Sequence, residues 1–373
     1  MMKAGILGGG QLGRMLLQAA ANYPVETFVL ENDADCPAAH LCHHFTGGSI
    51  RDFEAVYRFG CQVDVLTVEI ENVNIEALER LEQEGRRVIP KPSVLRTIRN
   101  KILQKEYYRT HSIPTADFFI TNNRSELSQH RRFLPAVHKI GEGGYDGRGV
   151  RVLATEADLD SGFDAPAVLE KKIEVQKELA VMIAVNDTGN TAIYPPVEMH
   201  FDPALNLLDY QLSPARINAE AAEKARTVAL EVVKHFTSPG IFAVELFITA
   251  DGGVYVNETA PRVHNSGHHT IEAHFSSQFD MAWRILLGLP LGNSEAVLPS
   301  AMVNIVGADG SKGPVSYRGL NEVLKMKNAF VHLYGKKETR PGRKMGHVTL
   351  LGTNLEELAA QAAKIRSTLI AQS

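Results

Sequence analysis

Three features of the sequence predict an α/β protein of three packed units. Up to residue 92, short apolar runs alternate with amphipathic ones, as in a parallel sheet covered by helices. Between residues 114 and 200, apolar runs succeed one another across short polar loops, the pattern of a small antiparallel sheet. From residue 291 a smaller unit runs to the end and closes on a helix. At 373 residues the chain exceeds what one core usually organises, which agrees with a division into 1–92, 93–290 and 291–373.

Each element has a local reason. Lys3 to Leu7 reads as a buried strand, followed by a glycine turn, a helix from Gln11 to Ala21 and a second strand from Thr27 to Leu30, which is a βαβ opening. Val63 to Val68, helical Asn74 to Glu84 and Val88-Ile89 continue it, and Lys91-Pro92-Ser93 marks a boundary. Val94 to His111 reads as one basic helix stopped by Pro114. Strands at Ala136 to Ile140, Val150 to Leu153, Val168 to Ile173, Leu179 to Val185 and Ala192 to Met199 are all assigned to the antiparallel unit. Asn218 caps a helix whose Ala222, Ala225, Val228, Ala229, Val232, Val233 and Phe236 fall on one face. Two strong strands, Ile241 to Thr249 and Val254 to Ala260, come next, and the last helix covers Leu355 to Leu369.

Composition narrows the function. Hydrophobic content of 44% and charged content of 22% are ordinary for a folded protein, and a formal net charge of -4 gives no global attraction to nucleic acid or anionic membrane. Cys36, Cys42 and Cys61 are odd in number and form no CxxC pair, which argues for a reducing compartment, and the cytoplasm is the natural reading. His40 and His43 lie among them, but the spacing matches no tetrahedral metal pattern. No signal-peptide core and no membrane span is apparent.

Four motifs carry chemistry. Gly8-Gly9-Gly10-Gln11-Leu12-Gly13 fits G-x-G-x-x-G between a strand and a helix, and Glu31 ends the next strand; together they suit a dinucleotide, although a turn needed only for tight packing, or the phosphate end of another ligand, fits equally. Five glycines lie between Gly141 and Gly149 beside Lys139, so backbone N–H groups there are free to wrap a polyphosphate.

The hairpin around Asp251-Gly252 is the most informative stretch. A two-residue turn pairs Ala250 with Gly253 and, counting outward, Glu245 with Glu258. Facing carboxylates repel unless a cation lies between them, and Mg²⁺ is typically held by one or two carboxylates plus substrate phosphates. The bland alternative is that one carboxyl is protonated or paired with Arg262. His264 and His268 in the loop that follows have i, i+4 spacing, but a zinc site needs a further ligand. Lys336, Lys337, Arg340, Arg343 and Lys344 form one dense basic run around Pro341, either a solvated loop or a fixed turn suited to an exposed phosphate.

Taken in order, the glycine turn, Glu69-Ile70-Glu71-Asn72-Val73, the run Gly143-Gly144-Tyr145-Asp146-Gly147-Arg148-Gly149, the paired glutamates, Ala260-Pro261-Arg262 with His264 to His268, and Tyr334-Gly335-Lys336 with Arg340 to His347 resemble the ATP-grasp 5-(carboxyamino)imidazole ribonucleotide synthases over essentially the whole chain. The resemblance implies a three-domain ATP-grasp architecture: a Rossmann-like parallel sheet, a central ATP-grasp domain with an antiparallel lid, and a small C-terminal domain. It implies that ATP, bicarbonate and 5-aminoimidazole ribonucleotide give the carboxyamino product through carboxyphosphate, in purine biosynthesis. Mg²⁺, with Mn²⁺ as an alternative, and a homodimer handing its product to a separate mutase are implied as well.

Carried over by position, Lys101, Lys139, Gly144, Tyr145, Asp146, Gly147, Arg148, Gly149, Glu170, Lys171, Lys172, Ile173, Glu178, Asn257 and Glu258 are the implied ATP contacts, and Glu245 with Glu258 the metal ligands. Gln11, Leu12, Glu71, Asn265, Lys336, Arg343 and Lys344 are the implied ribonucleotide site, with Asp146, Arg148 and Lys336 at the reacting groups. Lys101 stands where many relatives carry Arg, and the position two after Glu258 is not Asn. Rival readings are the formate-dependent glycinamide ribonucleotide transformylase, against which Gln11 and Asn265 weigh, and an NAD-dependent oxidoreductase, which leaves the paired glutamates unexplained.

Overall fold

The computed structural model describes residues 1–144 and 149–373. The opening unit is a five-stranded, all-parallel sheet in the spatial order His44–Gly47, Val25–Glu31, Met2–Leu7, Val65–Val68, Arg87–Ile89. Its helices, Gln11–Ala20, Phe53–Gly60 and Ile75–Gln83, fall between successive strands as parallel crossovers require. The sequence reading has no counterpart for the strand His44–Gly47 or the helix Phe53–Gly60. That strand is a sheet edge with no fully buried residue, so it lacks the apolar run by which its neighbours are recognised.

The expected helix from 94 to 111 is two helices, Pro92–Arg99 and Lys101–Thr110. Asn100 breaks them with extended backbone and uses its side-chain oxygen to accept from the N–H groups of Ile102 and Leu103 at 2.9 and 3.2 Å, capping the second helix.

The antiparallel region differs most from expectation. Four strands form a separate sheet, in the order Phe118–Thr121, Ala167–Lys171, Ala136–Ile140, Val150–Leu153. The strands Lys177–Val185 and Val197–Asp202, assigned by sequence to the same unit, belong instead to a nine-stranded sheet. Its main order is Val254–Ala260, Gly240–Ile248, Lys177–Val185, Val197–Asp202, Leu207–Ser213, Ser300–Val306, Lys344–Leu351, Ala329–Leu333, so the expected third unit extends the same sheet. Short loops indicate antiparallel neighbours but not which sheet a strand joins. The long strand Lys177–Val185 pairs over its whole length with Gly240–Ile248, far away in sequence.

The two faces of that sheet differ. Leu179, Val181 and Ile183 pack with Ala225, Val228, Ala229, Val232 and Val233 of the helix Ala219–Lys234, which Asn218 caps as expected. Each such fully buried valine contributes about 1.5–3 kcal/mol. The alternate residues Glu178 and Ala180 face the other side, as do their partners Phe247 and Glu245 on the neighbouring strand. On that side lies the candidate site. Among the described residues no helix is long and apolar enough to cross a membrane.

Candidate active site

The hairpin places Glu245 opposite Glu258, but by a different route from the one the turn residues suggest. Thr249, not Ala250, pairs with Gly253 across a three-residue loop, with a 3.0 Å bond from the Thr249 N–H to the Gly253 carbonyl. Gly252 sits there at φ 79°, a conformation in which any other residue would be strained. This register runs to Leu246 opposite Val256 and then shifts by one residue, so that Asn257 is extra and Glu245 meets Glu258. A wrong turn length and an unforeseen bulge cancel. A bulge also re-aims side chains. Asn257 accepts from the Lys139 ammonium at 2.9 Å and donates to Glu245 at 3.4 Å.

The pair is only partly exposed, the Glu245 side chain 18% and Glu258 43%. Lys101, whose ammonium is 2.5 Å from Glu258, holds that carboxyl low. Burial and then the Glu258 charge push Glu245 up to about 8. Together the two retain a proton at neutral pH, which is the state a hard divalent cation would displace. The donor set therefore fits Mg²⁺, with two carboxylate ligands and the remaining positions left to phosphate oxygens and water. Arg262 is not the partner of this pair: its guanidinium bonds Glu71 at 2.6 Å, joining the hairpin unit to the first sheet.

Two further lysines converge here. Glu170, on the lid strand Ala167–Lys171, is 3.1 Å from the Lys139 ammonium and 3.2 Å from that of Lys105. Its side chain is thus occupied. Lys171 turns its ammonium to the carbonyls of Phe133 and Leu134 at 2.9 and 3.1 Å, so of that residue only the backbone is left for a nucleotide. Lys172 is exposed and Ile173 half-buried in the connection from the lid to the large sheet. Glu178 faces the same side of the sheet as Glu245, and burial raises its carboxyl. Gly144 and Gly149 end the described parts of the glycine loop, whereas Tyr145, Asp146, Gly147 and Arg148 lie outside the described residues.

At the first glycine turn the helix N-terminus is already capped by Glu69, which accepts from the Leu12 N–H at 3.2 Å. A Cβ on Gly10 would stand 2.4 Å from the same carboxylate oxygen, which accounts for that glycine. Glu31, the candidate ribose ligand, accepts from Gly9 N–H at 3.2 Å and Asn32 N–H at 2.7 Å. The anion site a dinucleotide would use is filled by the protein's own carboxylate. Leu12 is buried with its N–H spent, while Gln11 is half-exposed at the helix start.

In the C-terminal unit, Lys336 donates to the Lys344 carbonyl at 2.7 Å, and half-exposed Arg343 to the Glu338 carbonyl at 2.7 Å, so the basic run is a fixed turn. Burial first, and the nearby Lys344 charge after it, depress His264 and His268, while burial raises Glu69 against the opposing charges of Arg262 and Lys336. Asn265 is buried and exchanges amide bonds with Asn304 at 3.0 and 2.7 Å, so it braces the loop with its side chain. Burial, followed by Arg262, pushes His264 down to about 3, so the ring is neutral and lies 3.8 Å from Glu245. Among the described residues no group of three or more His, Cys, Asp or Glu side chains is placed to hold a metal ion.

Sequence reading missed Lys105, the capping role of Glu69, and Arg262 as the Glu71 partner. For Lys105 a signal existed: it follows Lys101 by four residues, on the same helix face.

Comparison with known proteins agrees with this geometry. Residues 1–99 match a ribonucleotide synthetase preATP-grasp domain, 106–279 an ATP-grasp domain and 300–361 a phosphoribosylaminoimidazole carboxylase C-terminal domain. The chain is 38% identical to the chloroplastic phosphoribosylaminoimidazole carboxylase of Vigna aconitifolia, covering 96% of this chain and 66% of that longer protein. It is also 38% identical to an N5-carboxyaminoimidazole ribonucleotide synthase of Brucella melitensis, covering 92% and 95%. The crystal structure of the Thermotoga maritima N5-carboxyaminoimidazole ribonucleotide synthetase superposes with a TM-score of 0.93 at 36% identity over 100% of both chains. An Aspergillus clavatus N5-carboxyaminoimidazole synthase in complex with ADP and 5-aminoimidazole ribonucleotide superposes at 0.89, with 33% identity over 98% of each.

Proposed function

This chain belongs to the N5-carboxyaminoimidazole ribonucleotide synthase family of ATP-grasp ligases, and from that premise we propose how its own residues carry the reaction. The activity is the ATP-dependent carboxylation of 5-aminoimidazole ribonucleotide in purine biosynthesis. The observation that carries the assignment of roles is the facing pair Glu245 and Glu258, with Lys101 on Glu258 and Lys139 on the adjoining Asn257.

In this reading Lys139 and Lys101 leave their present partners for the phosphates of ATP, and Glu245 with Glu258 hold Mg²⁺, for which Mn²⁺ substitutes. A cation bound there would supply charge neutralisation of the phosphates, while Lys139 and Lys101 position them for attack by bicarbonate on the γ-phosphorus. Catalysis then comes from positioning and electrostatics, since no protein nucleophile is needed. Asp146 and Arg148 are assigned to the reacting groups by the family resemblance, and exclusion of water protects the carboxyphosphate. Gln11, Glu71, Lys336, Lys344 and Arg343 take the ribonucleotide, the last by gripping its phosphate with a two-toothed guanidinium. Leu12 and Asn265 contribute to the shape of this pocket more than to bonding, because their polar groups are spent. Backbone groups of residues 170–173 serve the adenine end. We further infer a cytoplasmic homodimer whose product passes to a separate mutase, a reading supported by the family alone.

An ADP-release assay tests this, with each amine and each one-carbon acid offered separately. Turnover is expected with 5-aminoimidazole ribonucleotide and stimulated by bicarbonate, and formate should not replace it. Turnover with glycinamide ribonucleotide and formate would overturn the assignment.

A further inference from the structure

Lys105 is the least exposed cation of the site, with a side chain only 3% accessible. It cannot reach a substrate from there. Its ammonium donates to the Thr115 hydroxyl at 2.5 Å, and that hydroxyl donates to the Val256 carbonyl at 2.7 Å, so Lys105 is anchored to the strand that carries Asn257 and Glu258. Its other partner, Glu170, belongs to the lid sheet and also holds Lys139. One carboxylate is therefore shared by a lysine that stays and a lysine that, on the ligase reading, must move to a phosphate.

We propose that Lys105 is a positioning residue for the nucleotide: by holding one oxygen of Glu170 it prevents that carboxylate from capturing the Lys139 ammonium outright. A carboxylate in a poorly solvated site, left with a single cation, binds it tightly, because no water repays the separation. With Lys105 in place, half of that demand is met by a group fixed to the body of the domain. Lys139 is then free to exchange Glu170 and Asn257 for phosphate at low cost. The proposal rests on the ligase reading and adds to it a residue with no substrate contact.

Titration of Mg²⁺ and ADP, joined to steady-state kinetics, provides the test. Lys105→Met should weaken ADP binding and raise the KM for ATP about tenfold, the scale of one charge-assisted bond, with the KM for the ribonucleotide unchanged. Lys105→Met combined with Glu170→Gln should bind ADP as well as Glu170→Gln alone, because a neutral amide no longer competes for Lys139. This comparison holds even where the single Lys105 variant folds poorly, since the double variant leaves no buried carboxylate short of a cation. A purely structural role predicts the reverse, with the second change adding to the damage.

The pH profile is a separate readout. Burial pushes the Lys105 ammonium down to about 8, and among the described residues it is faced by Glu170 and Lys139 from the lid and by Lys101 on its own helix, with Glu258 beyond. ADP affinity should therefore fall as pH rises through about 8, and this fall should vanish in the double variant. Unchanged ADP affinity in Lys105→Met, or a double variant weaker than Glu170→Gln, overturns the proposal. Failure of the unsubstituted chain to bind ADP would overturn the ligase reading and this proposal together.

Discussion

Two carboxylates on the same sheet show how charge balance separates a structural node from a site. Glu198 and Glu245 lie on strands that flank Lys177–Val185, opposite Leu179 and Ala180 respectively, and so they face opposite sides. Glu198, with a side chain 3% exposed, has three basic partners: Arg216 at 2.8 Å, Lys177 at 3.0 Å and His200 at 3.0 Å. Burial alone would raise its carboxyl, but these partners hold it well below its usual range. Glu245 has a second carboxylate opposite it and, among the described residues, only Asn257 as a hydrogen-bond donor; burial and then the Glu258 charge raise its carboxyl. An oversupplied carboxylate is satisfied as it stands, and an undersupplied one is waiting for a cation.

The contrast is open to attack by substitution. The largest effect is expected for Glu258→Gln, which keeps size and removes charge: Mg²⁺-supported turnover should drop on the order of 10²–10³-fold with the fold intact. Near-normal activity at low Mg²⁺ would end the metal reading. Glu198→Gln should leave substrate KM values alone and instead cost about 1.5–3 kcal/mol of stability, the scale of charge-assisted bonds whose acceptor is buried but whose donors are partly exposed. Because the Glu198 carboxyl is depressed on folding, its stabilisation is present above the usual value of 4.5 and is lost as pH falls. The gap in Tm between parent and variant should accordingly close in acid.

Arg343→Ala is expected to raise the KM for the ribonucleotide about ten- to a hundredfold, the scale of a bidentate phosphate contact, with ATP affinity unchanged and only partial recovery in Arg343→Lys. An unchanged ribonucleotide KM would return the basic turn to the surface. The smallest effect is a gain. The Glu245 carboxyl is raised on folding, so the stability it contributes is complete below the usual 4.5 and is lost as pH rises toward about 8. In metal-free protein, Glu245→Gln should therefore raise Tm by a few degrees near pH 8 and by less near pH 5, about 1 kcal/mol of relief sufficing. A Tm that falls equally at both would show that Glu245 carries no such strain.

Much of this architecture was legible in sequence wherever a signal is local. Asn218 and the apolar face behind it located the helix Ala219–Lys234, and the alternation up to residue 92 located the parallel sheet. What escaped was decided at long range. The membership of Lys177–Val185 in the large sheet is set by Gly240–Ile248, and the bulge at Asn257 leaves no mark in the turn that precedes it. Glu69 was visible within a recognised run, yet its role depends on a helix 57 positions away in sequence. The pairing of Glu245 with Glu258 came out correctly although its derivation did not.

Burial and the facing Glu258 charge keep a proton on the Glu245 carboxyl near neutral pH, and a cation bound there must displace it. Calorimetry of Mg²⁺ and ADP binding in buffers of different ionisation enthalpy, near pH 7, reads that proton directly. Binding to the parent chain should release about one proton more than binding to Glu245→Gln, because the cation would take the place of the Glu245 proton. Equal proton release from the two would mean that the pair is not where the metal binds.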